Sequence, residues 1–181
     1  MEEEILLEVE DMCEKALNSL IERFKTVRTG RANPSSLDKV MVNYYGAMTP
    51  LRQLANVTVP EARQLLIKPF DKSALANIEK GIYEANFGYT PNNDGETIRI
   101  VIPPLTEDRR KEIVKQVKSM QEDAKVAVRN ARRDGIDMVK DSDFSEDDEK
   151  RLEDRIQDIV NKYNKKIENE LEEKEKDLLE V

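Results

Sequence analysis

Apolar residues recur at helical steps along three long segments of the chain, and at shorter, alternating steps in the region between the first two. Over residues 2–28, Val9, Cys13, Ala16, Leu20, Phe24 and Val27 fall three or four apart, which predicts an amphipathic helix. Acidic residues crowd its first turn, where the helix dipole favours them. Gly30 lies just past the last periodic residue and Pro34 restricts Asn33, so the helix is expected to stop at Gly30. From Leu105 to Lys140 a second stripe runs through Ile113, Val117, Met120, Ala124, Ala127 and Ala131, opened by Thr106 with Glu107 and Asp108. The third segment begins at Ser145-Glu146-Asp147-Asp148, which resembles a capping box, and carries Leu152, Ile156, Ile159, Tyr163, Ile167, Leu171 and Leu178. No single amphipathic helix can bury its own stripe. The three together predict an antiparallel bundle, roughly 50 Å long at about 1.5 Å per residue.

Between the first two helices the pattern changes. Val40–Tyr44, the pieces around Val57 and Val59, Leu65–Lys68 and Thr97–Ile102 read as strands bounded by Gly, Pro or Asn. Tyr45-Gly46 reads as a turn, and Thr90 to Gly95 as another. A short helix with an apolar side at Leu75, Ile78 and Ile82 is expected, capped by Asp71 or Ser73 and ended within 86–88. This is a small mixed domain set into a helical bundle, so the fold class is α+β. The expected division is 1–29 plus 106–181 for the bundle and 30–105 for the insert. The two short connections between them, around Gly30 and around Pro103-Pro104, form a candidate hinge.

Charge sharpens the picture. The formal net charge is −8 and the sequence pI about 4.9, which by themselves argue against a polyanionic partner. The distribution argues otherwise. Residues 141–181 hold sixteen acidic and eight basic residues, which accounts for the whole deficit, whereas 106–133 hold nine basic against five acidic. Lys111, Lys115, Lys118, Lys125, Arg129 and Arg132 run at helical steps, two residues ahead of the apolar seam, and so fall on roughly the opposite face, interrupted by Glu122. Arg129, Arg132 and Arg133 are the densest cluster; planar guanidinium donors suit phosphate pairs. Pattern alone leaves two readings open, a polyanion-binding face and a solvated face on a structural coiled-coil adaptor.

Other chemistry is sparse. There is no histidine, hence neither the commonest acid/base group nor the commonest metal ligand, and no phosphate loop or dinucleotide fingerprint occurs. No enzyme activity, cofactor or metal is expected. Asp141, Asp143 and Ser145 begin like a calcium loop, but Glu146 and Leu152 stand where a Gly and a bidentate Glu are required. Tyr44-Tyr45 suggests a base-stacking platform; neighbouring strand residues face opposite ways, so core packing is expected for one of the pair. The lone Cys13 excludes an intrachain disulfide and, on an apolar helix face, reads as a buried thiol of a reducing compartment. The acidic N-terminus lacks the positive charge of a targeting peptide, and no apolar run reaches about 18 residues. A cytoplasmic location without membrane insertion is expected.

Several motifs in register carry a resemblance: Arg28-Thr29-Gly30-Arg31-Ala32-Asn33-Pro34, Tyr44-Tyr45-Gly46, Thr49-Pro50-Leu51 with Gln53-Leu54-Ala55, Pro91-Asn92-Asn93-Asp94-Gly95, Pro104-Leu105-Thr106-Glu107 before Arg109-Arg110, and Val128-Arg129-Asn130 before Arg132-Arg133-Asp134. Over nearly its whole length the chain resembles the bacterial ribosome recycling factor family. The resemblance implies a three-helix bundle with a β/α/β domain inserted after the first helix, L-shaped and about the size of a tRNA. It implies a monomeric, non-enzymatic factor that enters the ribosome after termination, lays its bundle on large-subunit ribosomal RNA, and works with elongation factor G to part the subunits. Arg110, Arg129, Arg132 and Arg133, with Arg28 and Arg31 as second rank, match RNA-contacting positions, and Gly30, Pro103 and Pro104 match the hinge. The connection between Arg133 and Ser145 is shorter than the usual family pattern, and Phe87, Tyr89 and Thr90 replace its Leu, Leu and Asn.

Overall fold

The computed structural model describes residues 1–85 and 88–179. The chain forms two compact units, one of Met1–Val27 with Glu107–Val181, the other of Arg28–Thr106.

The first unit is a three-helix bundle: α1 (Glu2–Lys25), α4 (Glu107–Lys140) and α5 (Glu146–Leu179). Ion pairs give the directions. Arg151, Arg155 and Lys162 of α5 reach Glu2, Glu3 and Glu10 of α1 in ascending order, so these two helices run parallel. Lys125 of α4 reaches Glu168 and Arg132 reaches Gln157, so α4 is antiparallel to α5. The stripe expected on α1 is buried throughout. The α1 helix ends five residues ahead of Gly30, because the Thr26 hydroxyl bonds the Arg23 carbonyl and the Thr26 and Val27 amides close onto Arg23 and Phe24 in a tightened last turn. On α4 the buried line is Ile113, Val117, Met120, Ala124, Val128, Ala131, Gly135 and Val139; Val128 replaces the expected Ala127, which is exposed. On α5, Val160 takes the buried place expected for Ile159, now half-buried. In both cases two apolar residues stand side by side and the partner helix selects one. All three helices pack tightly at Gly135, where an added Cβ would collide with Val9 Cγ2 and stand 3.3 Å from Ile156 Cδ1. Ser145 caps α5 by accepting the Asp148 amide at 3.2 Å, as the capping-box pattern expects.

The second unit holds a hairpin, β1 (Met41–Tyr44) and β2 (Ala47–Pro50), a one-turn helix α2 (Leu51–Leu54), strands β3 (Ala55–Glu61) and β4 (Gln64–Pro69), helix α3 (Leu75–Glu84), and strands β5 (Pro91–Asn93) and β6 (Ile98–Val101). The last four strands form one antiparallel sheet in the order β3-β4-β6-β5. Its inner face follows from the period-two alternation: Leu65 pairs with Ile100 and Ile67 with Ile98, all fully buried with Ile78 and Ile82 of α3. The Tyr45-Gly46 turn has positive φ at both residues (50° and 83°), the geometry of a tight hairpin, and Asn43 Oδ1 accepts the Gly46 amide at 2.9 Å. Thr90 to Gly95 is not one turn. Pro91–Asn93 pairs with β6 as an edge strand, where a proline at the start removes no ladder bond, and the turn is confined to Asp94–Glu96. The expected end of the short helix partly lies outside the described residues, at 86 and 87.

Candidate nucleic-acid interface

Because the buried line of α4 fixes its inward side, the remaining cations are sorted by their neighbours. Near the start of the helix, Arg109 pairs with Glu112 at 2.9 Å and Lys111 with Glu107 at 3.6 Å, so their charge is offset within the helix itself. Lys115, Lys118 and Arg129 are exposed and make no hydrogen bond or ion pair among the described residues. Arg133 is exposed, 3.4 Å from Asp134, an adjacent carboxylate whose side chain is 45% accessible and which therefore neutralises little.

Arg132 differs from the sequence expectation of a face roughly opposite the apolar seam. It is half-buried on the flank towards α5, where its Nε donates to Gln157 Oε1 at 2.7 Å. Gln157 in turn donates from Nε2 to Asn161 Oδ1 at 2.8 Å, so an amide relay fixes the orientation of the guanidinium. Lys125 lies on the same flank, 3.5 Å from Glu168. Gln157 and Asn161 carry no local signal in the sequence, and only the helix register reveals them.

The predicted residues do not form one site. Arg129, Arg132 and Arg133 come together within about one turn of α4. Arg110 is about five turns away, half-buried, with its Nε enclosed and without a hydrogen-bond partner among the described residues. Arg28 and Arg31 belong to the second unit and are exposed there. In that unit Gly30 has φ +76, which favours glycine, and a Cβ on it would stand 3.1 Å from Leu105 Cγ. The Ala32 amide bonds Ala62 O and the Ile102 amide bonds Arg63 O, both at 2.8 Å, while Pro103 and Pro104 are exposed.

Of the tyrosine pair, Tyr44 is half-buried and donates its hydroxyl to Asp71 Oδ2 at 2.8 Å, which pushes its own pKa up. Hydrogen bonds from Ser73 and then Tyr44 hold the Asp71 carboxyl below the usual carboxylate range. Tyr45 projects at the hairpin tip, 81% exposed. Cys13 is fully buried in the bundle, and burial, with Glu10 nearby, pushes its thiol up to about 11. Among the described residues no cluster of three potential metal ligands is present, and no helix is long and apolar enough to cross a membrane.

Fold and surface together define a class: an α+β protein of two units, a three-helix bundle with a cationic middle stretch on one long helix and an inserted antiparallel sheet. The sequence model of the ribosome recycling factor family matches residues 20–179, and the chain belongs to that family. It is 53% identical over 176 residues to the ribosome-recycling factor of Caldicellulosiruptor saccharolyticus, covering 95% of this chain and 96% of that one. The Bacillus subtilis ribosome-recycling factor is 49% identical over 185 residues, with all of both chains covered. Among solved structures, a solution structure of the ribosome recycling factor matches with TM-score 0.83 and 36% identity over 99% of this chain and 98% of that one. A second, describing the Thermus thermophilus recycling factor and Escherichia coli elongation factor G bound to the post-termination complex, matches with TM-score 0.67 and 40% identity over 99% and 100%.

Proposed function

We propose that this protein recycles ribosomes after termination by gripping phosphates of large-subunit ribosomal RNA with the middle of α4 while the inserted unit moves, in concert with elongation factor G and GTP. The unit of residues 1–27 plus 107–181 supplies the grip and the unit of residues 28–106 the moving part. The observation that carries this reading is the arginine cluster of α4. Arg129 and Arg133 face solvent, and Arg132 is pre-oriented beside them by Gln157, in a member of the recycling factor family. Planar donors held in place lose little side-chain freedom on meeting a phosphate, and the charge of three guanidiniums within one turn draws a polyanion in by counterion release. Arg110 adds a contact near the start of α4, and Arg28 and Arg31 add contacts from the inserted unit.

Movement is assigned to the two crossovers, 26–31 and 102–106, which contain Gly30, Pro103 and Pro104. Gly30 takes a left-handed backbone that favours glycine, and the proline pair fixes φ and removes two amide donors in the second crossover. The protein works as a monomer in the cytoplasm and breaks no covalent bond itself; GTP hydrolysis belongs to its partner. The deciding experiment is breakdown of polysomes by elongation factor G and GTP with this protein added or omitted. Breakdown that depends on the protein is expected. Equal breakdown without it would overturn the function, and failure to sediment with large subunits would instead favour the adaptor reading.

A further inference from the structure

Two residues far apart in the chain meet inside the inserted unit. The guanidinium carbon of Arg28 sits 5.2 Å from the centre of the Tyr89 ring, within the range of a cation–π contact. Beside them Gly88, at φ +82, supplies clearance: a Cβ there would stand 2.7 Å from Arg28 Nη1 and 3.1 Å from Nη2. Tyr89 is itself anchored, because it packs half-buried against the hydrophobic core of the unit. Arg28 nonetheless remains exposed. A guanidinium meets an aromatic ring through its flat face, so the contact sets the plane of the group.

We infer that Tyr89, with Gly88 as the clearance it needs, is a positioning residue for Arg28: it holds the guanidinium at a set place on the inserted unit, ready for a backbone phosphate of RNA. The inference rests on the reading of Arg28 as an RNA-contacting residue. A long cationic side chain that must be ordered at the moment of docking loses rotamer freedom there; one already stacked does not.

Two measurements on the full-length protein test this. The first is the ¹⁵N relaxation of the Arg28 side-chain Nε in wild type, Tyr89→Phe and Tyr89→Leu. Phe keeps the π face and Leu keeps apolar bulk without it, so the Nε signal is expected to be ordered in wild type and Tyr89→Phe and mobile in Tyr89→Leu. Equal order in all three, or mobility in wild type, overturns the positioning role. The second is affinity for isolated large subunits, including Arg28→Ala and the double variant Arg28→Ala/Tyr89→Leu. Tyr89→Leu is expected to bind about three-fold more weakly, the range that an exposed cation–π contact supports, with Tyr89→Phe near wild type and the double variant no weaker than Arg28→Ala. A Tyr89→Leu loss that persists in full on the Arg28→Ala background would show that Tyr89 acts through the fold alone, against the inference. If Arg28→Ala binds like wild type, the RNA role of Arg28 falls, and the relaxation measurement still decides whether Tyr89 positions it.

Discussion

Replacing Arg129 by Glu isolates the proposed grip from the stability of the bundle. Arg129 is exposed and makes no hydrogen bond or ion pair among the described residues, so its removal takes no such bond away from the folded state. Glu has a helix propensity close to that of Arg, and at this position it lies four residues from both Lys125 and Arg133, where each new pair adds about 0.3 to 0.5 kcal/mol. The melting temperature is therefore expected to stay level or rise slightly. Binding should respond in the opposite sense. Loss of one charge-assisted hydrogen bond to a phosphate removes about 1.5 to 3 kcal/mol, roughly ten- to a hundred-fold in affinity. The new carboxylate also engages the two neighbouring cations, which pushes the effect to the upper end. The assay is co-sedimentation with large ribosomal subunits at several salt concentrations, in which the slope of log affinity against log salt should flatten by about 0.7 to 0.9 for each phosphate that the variant no longer neutralises. Wild-type affinity with an unchanged slope, in a variant that melts normally, would refute the assignment. Arg132→Glu is a poorer probe, because breaking the Nε bond to Gln157 leaves a half-buried amide oxygen without its donor and costs about 1 kcal/mol of stability as well.

Three further outcomes concern the bundle. Gly135→Ala gains about 1 kcal/mol of helix propensity but forces a methyl into Val9, an overpacking cost of about 1 to 3 kcal/mol, so calorimetry should show a lower melting temperature; an increase would mean that the three helices are not in close contact there. Ser145→Ala removes the acceptor for the Asp148 amide and should cost about 1 kcal/mol in urea unfolding, with Ser145→Asp restoring most of it. Cys13 should resist a thiol reagent at pH 8 until the protein is unfolded, since burial keeps the thiol protonated up to about pH 11. Between about pH 9 and 11 the unfolded chain has lost that proton and the folded chain still holds it, so the folded state binds more protons and stability falls as pH rises. The fall amounts to about 2 to 3 kcal/mol, and a Cys13→Ala variant should show a correspondingly flatter pH dependence over that window.

Sequence expectation and structure part where two segments have to be matched. The stripes on all three helices were legible because a helix that packs on one side records that side every three or four residues. Where two apolar residues stand next to each other, as at Ala127 and Val128 or at Ile159 and Val160, the local pattern allows either, and the partner helix chooses the one that fills its groove. The end of α1 was misplaced because Gly30 is a strong stop signal, while the hydroxyl of Thr26 bonding back to Arg23 is a geometric event without a distinctive spelling. Pro91–Asn93 looked like turn residues, yet the open edge of β6 recruits them as a strand.

Sequence alone was enough to indicate the three amphipathic helices, the change of pattern between the first two, most of the strands there and an excess of cations on α4, since all of these follow from composition and from intervals of two to four residues along one chain segment. It also carried the motifs that mark the family. Only the tertiary structure could decide that Arg132 is tethered by Gln157, that the Nε of Arg110 is enclosed, and that Arg28 lies on Tyr89. Those pairings depend on the axial register and rotation of packed elements, which are set by the summed fit of many side chains across an interface and leave no periodic trace in either partner.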